Sequence, residues 1–220
     1  SGLVGSEMCI RDRMRNAGQV CTSPTRFFVH ESIFDEYAAS FVERAASTVV
    51  GNGMKPGVEM GPTANDRRIP VLIELVEDAR AKGSTVATGG GRHGDQGYFF
   101  QPTVLLNVPQ TARIMQEEPF GPIAVINSVK SLDDAIVQAN SVPYGLAGYA
   151  FTNRADYIDR LVDEVEVDCN NSTMKVSKSI LPLTNDPCKF RCRLTYNLRE
   201  FFNCVLNVRQ RHRFNCFFRG

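Results

Sequence analysis

Pro122-Ile123-Ala124-Val125-Ile126-Asn127-Ser128-Val129 decides the fold. It is a continuous apolar run, bounded by the turn residues Pro119-Phe120-Gly121-Pro122 on one side and Ser131 on the other, and it reads as the best strand of the chain. Ser131 then caps a helix that carries Leu132, Ala135, Ile136 and Ala139 at helical spacing. Upstream, Tyr98 to Val108 is strand-like but holds Pro102, which makes it an edge strand or a broken one.

The same alternation extends in both directions. Arg26 to His30 is a short apolar strand. Ile33, Phe34, Tyr37, Phe41, Val42, Ala45 and Val49 recur at helical steps, and Gly51, Gly53, Pro56 and Gly57 end that helix. Ile69 to Lys82 is a second amphipathic helix with Gly83 placed to cap it, followed by a strand over Ser84 to Thr88. Downstream of the Pro143-Tyr144-Gly145 turn come a strand, Leu146 to Phe151, and a helix, Arg154 to Val165. Strand and helix alternating in this way predict an α/β domain: a largely parallel sheet flanked by helices.

Beyond Val167 the pattern stops. Ser1 to Val167 holds 15 Lys and Arg against 21 Asp and Glu, whereas Asp168 to Gly220 holds 10 against 3 and carries five of the seven cysteines. Such a break marks a boundary. Residues 168–220 are expected to be an out-of-frame or disordered tail. Residues 1–13 (Ser-Gly-Leu-Val-Gly-Ser-Glu-Met-Cys-Ile-Arg-Asp-Arg) resemble translated adapter sequence and are expected to be non-native and poorly packed. The folded domain is then residues 14–167. The near-zero net charge of +1 gives no reason to expect nucleic acid as a partner, and no apolar run spans a bilayer, so a cytoplasmic or organellar-matrix setting is expected, the cytoplasm first.

Two clusters hold chemistry. Cys21 follows Asn16-Ala17-Gly18-Gln19-Val20 and precedes Thr22, Ser23 and Pro24. A lone cysteine is ordinarily a small buried hydrophobe, but here Gly18 permits close backbone approach and Pro24 stops the local turn just before a strand. The thiol therefore lies at a sheet end, where α/β proteins place their sites. The second cluster is Glu117-Glu118-Pro119-Phe120-Gly121-Pro122. Adjacent carboxylates are more often solvated charge than a site. The stiff turn leading into the best strand would nevertheless hold one of them to accept hydrogen bonds from ligand hydroxyls, with Phe120 as an apolar face beside it.

These residues resemble the aldehyde dehydrogenase superfamily. Asn16 to Cys21 looks like its nucleophile motif and Glu117 to Pro122 like its E-E-x-F-G-P motif. Met60-Gly61-Pro62, Gly97 to Phe100 with Pro102-Thr103-Val104, and Asn140 with Tyr144 to Ala147 match in order and spacing. The likeness covers Arg15 to Val167. It implies an NAD- or NADP-dependent oxidation of an aldehyde to a carboxylate. Cys21 would be the nucleophile, Glu118 would hydrogen-bond the nicotinamide ribose, and Phe120 would pack near the nicotinamide. Asn16, Gly18 and Gln19 would shape the loop. Val20 to Arg26 and Glu117 to Pro122 look like the succinate-semialdehyde branch, and the complete enzyme would be a homo-oligomer.

Departures from the family pattern matter as well. Met14 stands where the family has an aromatic. The resemblance places the dinucleotide-binding domain, the general-base glutamate and the oxyanion-hole asparagine outside this chain, so the chain as written is expected to be inactive. After Val167 no strand, P-F-G-G-like segment or oligomerising tail is legible. The rival readings are a non-catalytic folded remnant and an interaction module in the tail. No metal site is expected: Cys188, Cys192, Cys204, His212 and Cys216 fit no standard zinc spacing. His30 reads as a surface or cap histidine with no link to Cys21.

Overall fold

The computed structural model describes residues 10–152 and 154–166, together with the backbone of Thr173–Ser177 and Val205–Asn207. In chain order the elements are β1 (Arg26–His30), α1 (Phe34–Ala46), α2 (Arg68–Ala81), β2 (Thr85–Thr88), β3 (Thr103–Leu106) and β4 (Ile123–Val129). They continue with α3 (Leu132–Ala139), β5 (Ala147–Phe151), α4 (Ala155–Glu164), β6 (Thr173–Ser177) and β7 (Val205–Asn207). They fall into two units, Ser1–Pro143 and Tyr144–Gly220.

In the first unit the sheet order is β1-β4-β3-β2. β4 runs parallel to both neighbours, with Phe27 opposite Ile126 and Val104 opposite Ala124, and β2 is the antiparallel edge. Every residue of β4 except Ser128 is buried. Its side chains alternate between two cores, as the pleat requires. Ile123 and Val125 join Leu72, Leu75, Val76 and Ala79 of α2, while Ala124 and Ile126 join Phe41 and Ala45 of α1. A helix therefore covers each face of the sheet, which explains why the sequence of this strand is continuous rather than alternating. Phe41 and Leu72 have no exposed surface. Full burial of one such side chain contributes about 1.5–3 kcal/mol.

The helix ends follow the local chemistry. Ser131 Oγ accepts from the Asp134 N–H at 3.1 Å and caps α3. Gly83, at φ +99°, donates its N–H to the Arg80 carbonyl, and Ser84 donates to that of Ala79. These two bonds close α2 in a Schellman arrangement.

The structure refines three local readings. Of the two readings of Tyr98 to Val108 the broken strand holds: Thr103–Leu106 lies inside the sheet between β4 and β2, and Phe100 makes an isolated bridge with Arg92. Pro102 precedes the first ladder residue, so it removes no donor, and the Thr103 N–H reaches the Pro122 carbonyl at 2.9 Å. Residues 10–13 are not poorly packed. Residues 10–14 are helical, Ile10 is 2% exposed in the α1-side core and Arg13 is wholly buried, because Ile10 and Met14 share one face at i, i+4. Within the expected structureless tail, β6 pairs parallel with β5 and antiparallel with β7. Thr173-Met174-Lys175-Val176-Ser177 does alternate polar and apolar residues, a two-residue period too short to stand out of its surroundings.

Candidate active site

The Cys21 loop is built on unusual backbone. Asn16 and Ala17 both have φ of 52° and Gly18 has φ of 69°, three left-handed residues in succession. For the first two this conformation costs of order 1 kcal/mol or more each. Gly18 is required for a second reason: a Cβ there would lie 2.2 Å from the Gly121 carbonyl oxygen and 2.9 Å from Pro122 N. The backbone of the Cys21 loop thus rests directly on the backbone of the Glu117 to Pro122 turn. Gln19 ties the loop down: its Nε2 donates to the Asn16 carbonyl at 3.0 Å, and its Oε1 accepts from the Ala64 N–H at 2.8 Å. The Ser23 N–H closes a turn on the Val20 carbonyl at 2.9 Å, and Cys21, within that turn, is a free, exposed thiol.

The second turn separates its two carboxylates. Glu117 pairs with Arg113 at 2.8 Å, and that hydrogen bond holds its carboxyl below the usual carboxylate range. Glu118 is exposed, and no described residue takes its carboxylate. Phe120 sits at φ +38° and the residue is 36% exposed. Gly121 allows Leu72 of α2 to pack against its Cα, since a Cβ would lie 2.4 Å from that side chain. Arg68, one turn before Leu72, donates to the carbonyl oxygens of Glu118, Pro119 and Phe120. Arg13 donates to that of Gly121.

The sequence singles out Cys21, Glu118 and Phe120 as candidates, and the structure puts their two loops in contact. It corrects the reason given for their place. Both loops precede the first residues of parallel strands, β1 and β4, so the site is at the amino ends of the strands, not the carboxyl ends at which open α/β sheets usually bind ligands. His30 lies at the other end of β1, where its Nδ1 accepts from the Ser32 N–H at 3.2 Å as a cap. Sequence reasoning missed Arg13, Arg68 and the outward reach of Gln19. Arg68 sits in Asn65-Asp66-Arg67-Arg68, which reads as ordinary solvated charge, and nothing in it marks one arginine as half-buried against carbonyls. Among the described residues no group of His, Cys, Asp and Glu could hold a metal ion, and Cys188, Cys192, Cys204, His212 and Cys216 lie outside the described residues.

The model of the aldehyde dehydrogenase family matches residues 5–182. The chain belongs to that family. The aldehyde dehydrogenase named cytosolic 2 from Macroscelides proboscideus is 43% identical over 150 residues, covering 68% of this chain and 62% of its own length. A 3,6-anhydro-L-galactose dehydrogenase, solved in complex with NAP, superposes with a TM-score of 0.72 at 35% identity, over 79% of this chain and 36% of its own. Succinate-semialdehyde dehydrogenase from Burkholderia pseudomallei superposes with a TM-score of 0.73 at 32% identity, over 79% of this chain and 35% of its own. The chain spans 28% to 62% of the curated aldehyde dehydrogenases at the head of the comparison. The match overlaps residues 5–13 and 168–182, which the sequence had set outside the domain. No helix among the described residues is long and apolar enough to cross a membrane.

Proposed function

We propose that this aldehyde dehydrogenase chain carries the thiol and the nicotinamide-side contacts of an enzyme that oxidises an aldehyde to a carboxylate with NAD or NADP. One observation supports the reading above others. Two backbone turns with strained non-glycine residues, Asn16 and Ala17 in one and Phe120 in the other, are packed backbone to backbone at Gly18 and Gly121. Strain of this kind is kept where a site needs it, and here it packs the loop of an exposed thiol against the turn that carries an exposed carboxylate and an exposed aromatic residue.

The donor set suits the cofactor. The Glu118 carboxylate is free to accept from a ribose diol, and the Phe120 ring offers an apolar face to a planar heterocycle. The Cys21 thiolate adds to the aldehyde carbon and gives a thiohemiacetal. NAD(P), when bound, supplies the hydride acceptor. Loss of hydride leaves a thioester on Cys21, which water hydrolyses to the acid and the free thiol. Gln19 and Gly18 fix the loop that presents the sulfur. The general base and the oxyanion-hole side chain belong, by family resemblance, to segments beyond this chain. The 220-residue chain by itself is accordingly expected to produce no NAD(P)H from aldehyde.

In the full-length protein, Cys21→Ser should reduce turnover by at least about 10³-fold, because a hydroxyl is a far weaker nucleophile than a thiolate. Dinucleotide affinity, measured by calorimetry, should stay within about twofold. Substantial turnover by Cys21→Ser would remove the nucleophile, and loss of dinucleotide binding would point to misfolding of the loop. The non-catalytic remnant is the rival reading, and an inactive wild-type full-length protein would favour it. Likeness to the succinate-semialdehyde branch at Val20 to Arg26 and Glu117 to Pro122 names that aldehyde as the first substrate to assay. A cytoplasmic, homo-oligomeric enzyme is the setting we propose.

A further inference from the structure

We propose that Arg68 is a positioning residue that sets the place of Glu118 and Phe120 by holding the backbone of their turn. This rests on the reading of Glu118 and Phe120 given above. Arg68 begins α2, and its guanidinium reaches three successive carbonyl oxygens: Nε to Phe120 at 3.2 Å, and Nη2 to Glu118 at 3.4 Å and to Pro119. These carbonyls belong to a turn that cannot hold itself. Pro119 has no N–H to donate, and Phe120 is held at φ +38° without the freedom of glycine.

Leu72, four residues on and on the same face of α2, fills the space that a side chain at Gly121 would need. The first two turns of one helix thus grip the turn from both sides, one residue through hydrogen bonds and the other through packing. Only arginine fits the first role. Its planar fork places several donors in fixed directions, whereas the lysine ammonium is a compact point charge. Arg68 donates to backbone oxygens alone, so the Glu118 carboxylate stays free for a ligand while a cation lies near it. Burial lowers the Arg68 pKa from its ordinary range and the Glu118 charge opposes that shift.

Two measurements test the proposal. In the 220-residue chain, Arg68→Lys and Arg68→Gln should each speed amide exchange of Glu117, Glu118, Phe120 and Gly121 by about tenfold or more while leaving the β4 interior unchanged. Unchanged exchange at the turn in both variants overturns the proposal. In the full-length protein, both variants should raise KM for the dinucleotide and lower kcat by about tenfold, with alkylation of Cys21 as fast as in the wild type. The decisive readout is a double-mutant cycle. If Arg68 acts through Glu118, the Arg68→Lys effect should shrink to within about twofold in a Glu118→Gln background. Effects that multiply independently make Arg68 a general structural residue and overturn the proposal. If Glu118→Gln by itself changes neither KM nor kcat, the assignment of Glu118 fails, and the exchange result alone then decides whether Arg68 holds the turn.

Discussion

Arg13 is a cation with no described carboxylate in reach of a hydrogen bond. It is wholly buried, its Nε has no acceptor, and its partners are the Gly121 carbonyl and, at 3.5 Å, Ser23 Oγ. Burial drives its pKa down to about 9, with only partial opposition from the more distant Glu118 charge. A buried charge without its counter-ion is destabilising, so Arg13 is the residue on which the proposal that residues 1–13 are foreign to the protein can be tested. Arg13→Met should stabilise the chain by about 1–3 kcal/mol, read as a higher urea midpoint, since the Gly121 carbonyl keeps its bond from the Ile123 N–H. The sign with pH is fixed. The folded form sheds the Arg13 proton at about 9 while the unfolded form keeps it, so wild-type stability from this group rises as pH climbs past 9. The advantage of Arg13→Met should therefore shrink above pH 9, and a variant less stable than wild type at pH 7 would show Arg13 to be a native anchor. Cys21, Glu118 and Phe120 could be singled out as candidates because each sits in a motif whose neighbours restrict the backbone. Arg13 and Arg68 could not, because what matters in them is a long-range contact with carbonyls that no local spacing announces.

Among the elements, β4 shows why most of the fold could be read and where reading stopped. Its apolar run, the Ser131 cap and the Gly83 stop of α2 are local signals, and each holds within a residue or so. Pairing order is not local, so the interior place of β3 had to come from the structure. Asn127 is another such case, a polar residue in an otherwise apolar strand that is only 7% exposed. Its Oδ1 accepts from the Val108 N–H and its Nδ2 donates to the Val108 carbonyl, both at 2.8 Å. The side chain thereby replaces a ladder pair just where β3 ends, and it fixes the path of the chain after Leu106. Asn127→Leu should leave both Val108 groups buried and unpaired, at a cost of about 2–4 kcal/mol. Urea titration of the variant checks this, and a loss below about 1 kcal/mol would mean that water takes over both bonds.

At the scale of the whole molecule, the burial of the described residues is concentrated in the first unit. Every buried apolar residue among those described lies between Ile10 and Ile136. Both cores lie within the first unit, and the helix of the second unit, α4, buries none of its residues. Hydrophobic burial sets both the cooperativity and the surface exposed on unfolding. A chain ending at Pro143 should therefore unfold in one cooperative step, with a urea midpoint close to that of the 220-residue chain. Its slope should fall by less than the one-third loss of length would suggest, because the described residues among those removed contribute little of the buried surface. Cys21, Glu118, Phe120 and Arg68 all belong to the retained unit, so exchange at Glu117, Glu118, Phe120 and Gly121 should also be the same in both chains. A truncated chain that lost its cooperative transition would show that Tyr144–Gly220 completes the core, and it would also count against treating residues 168–220 as foreign sequence.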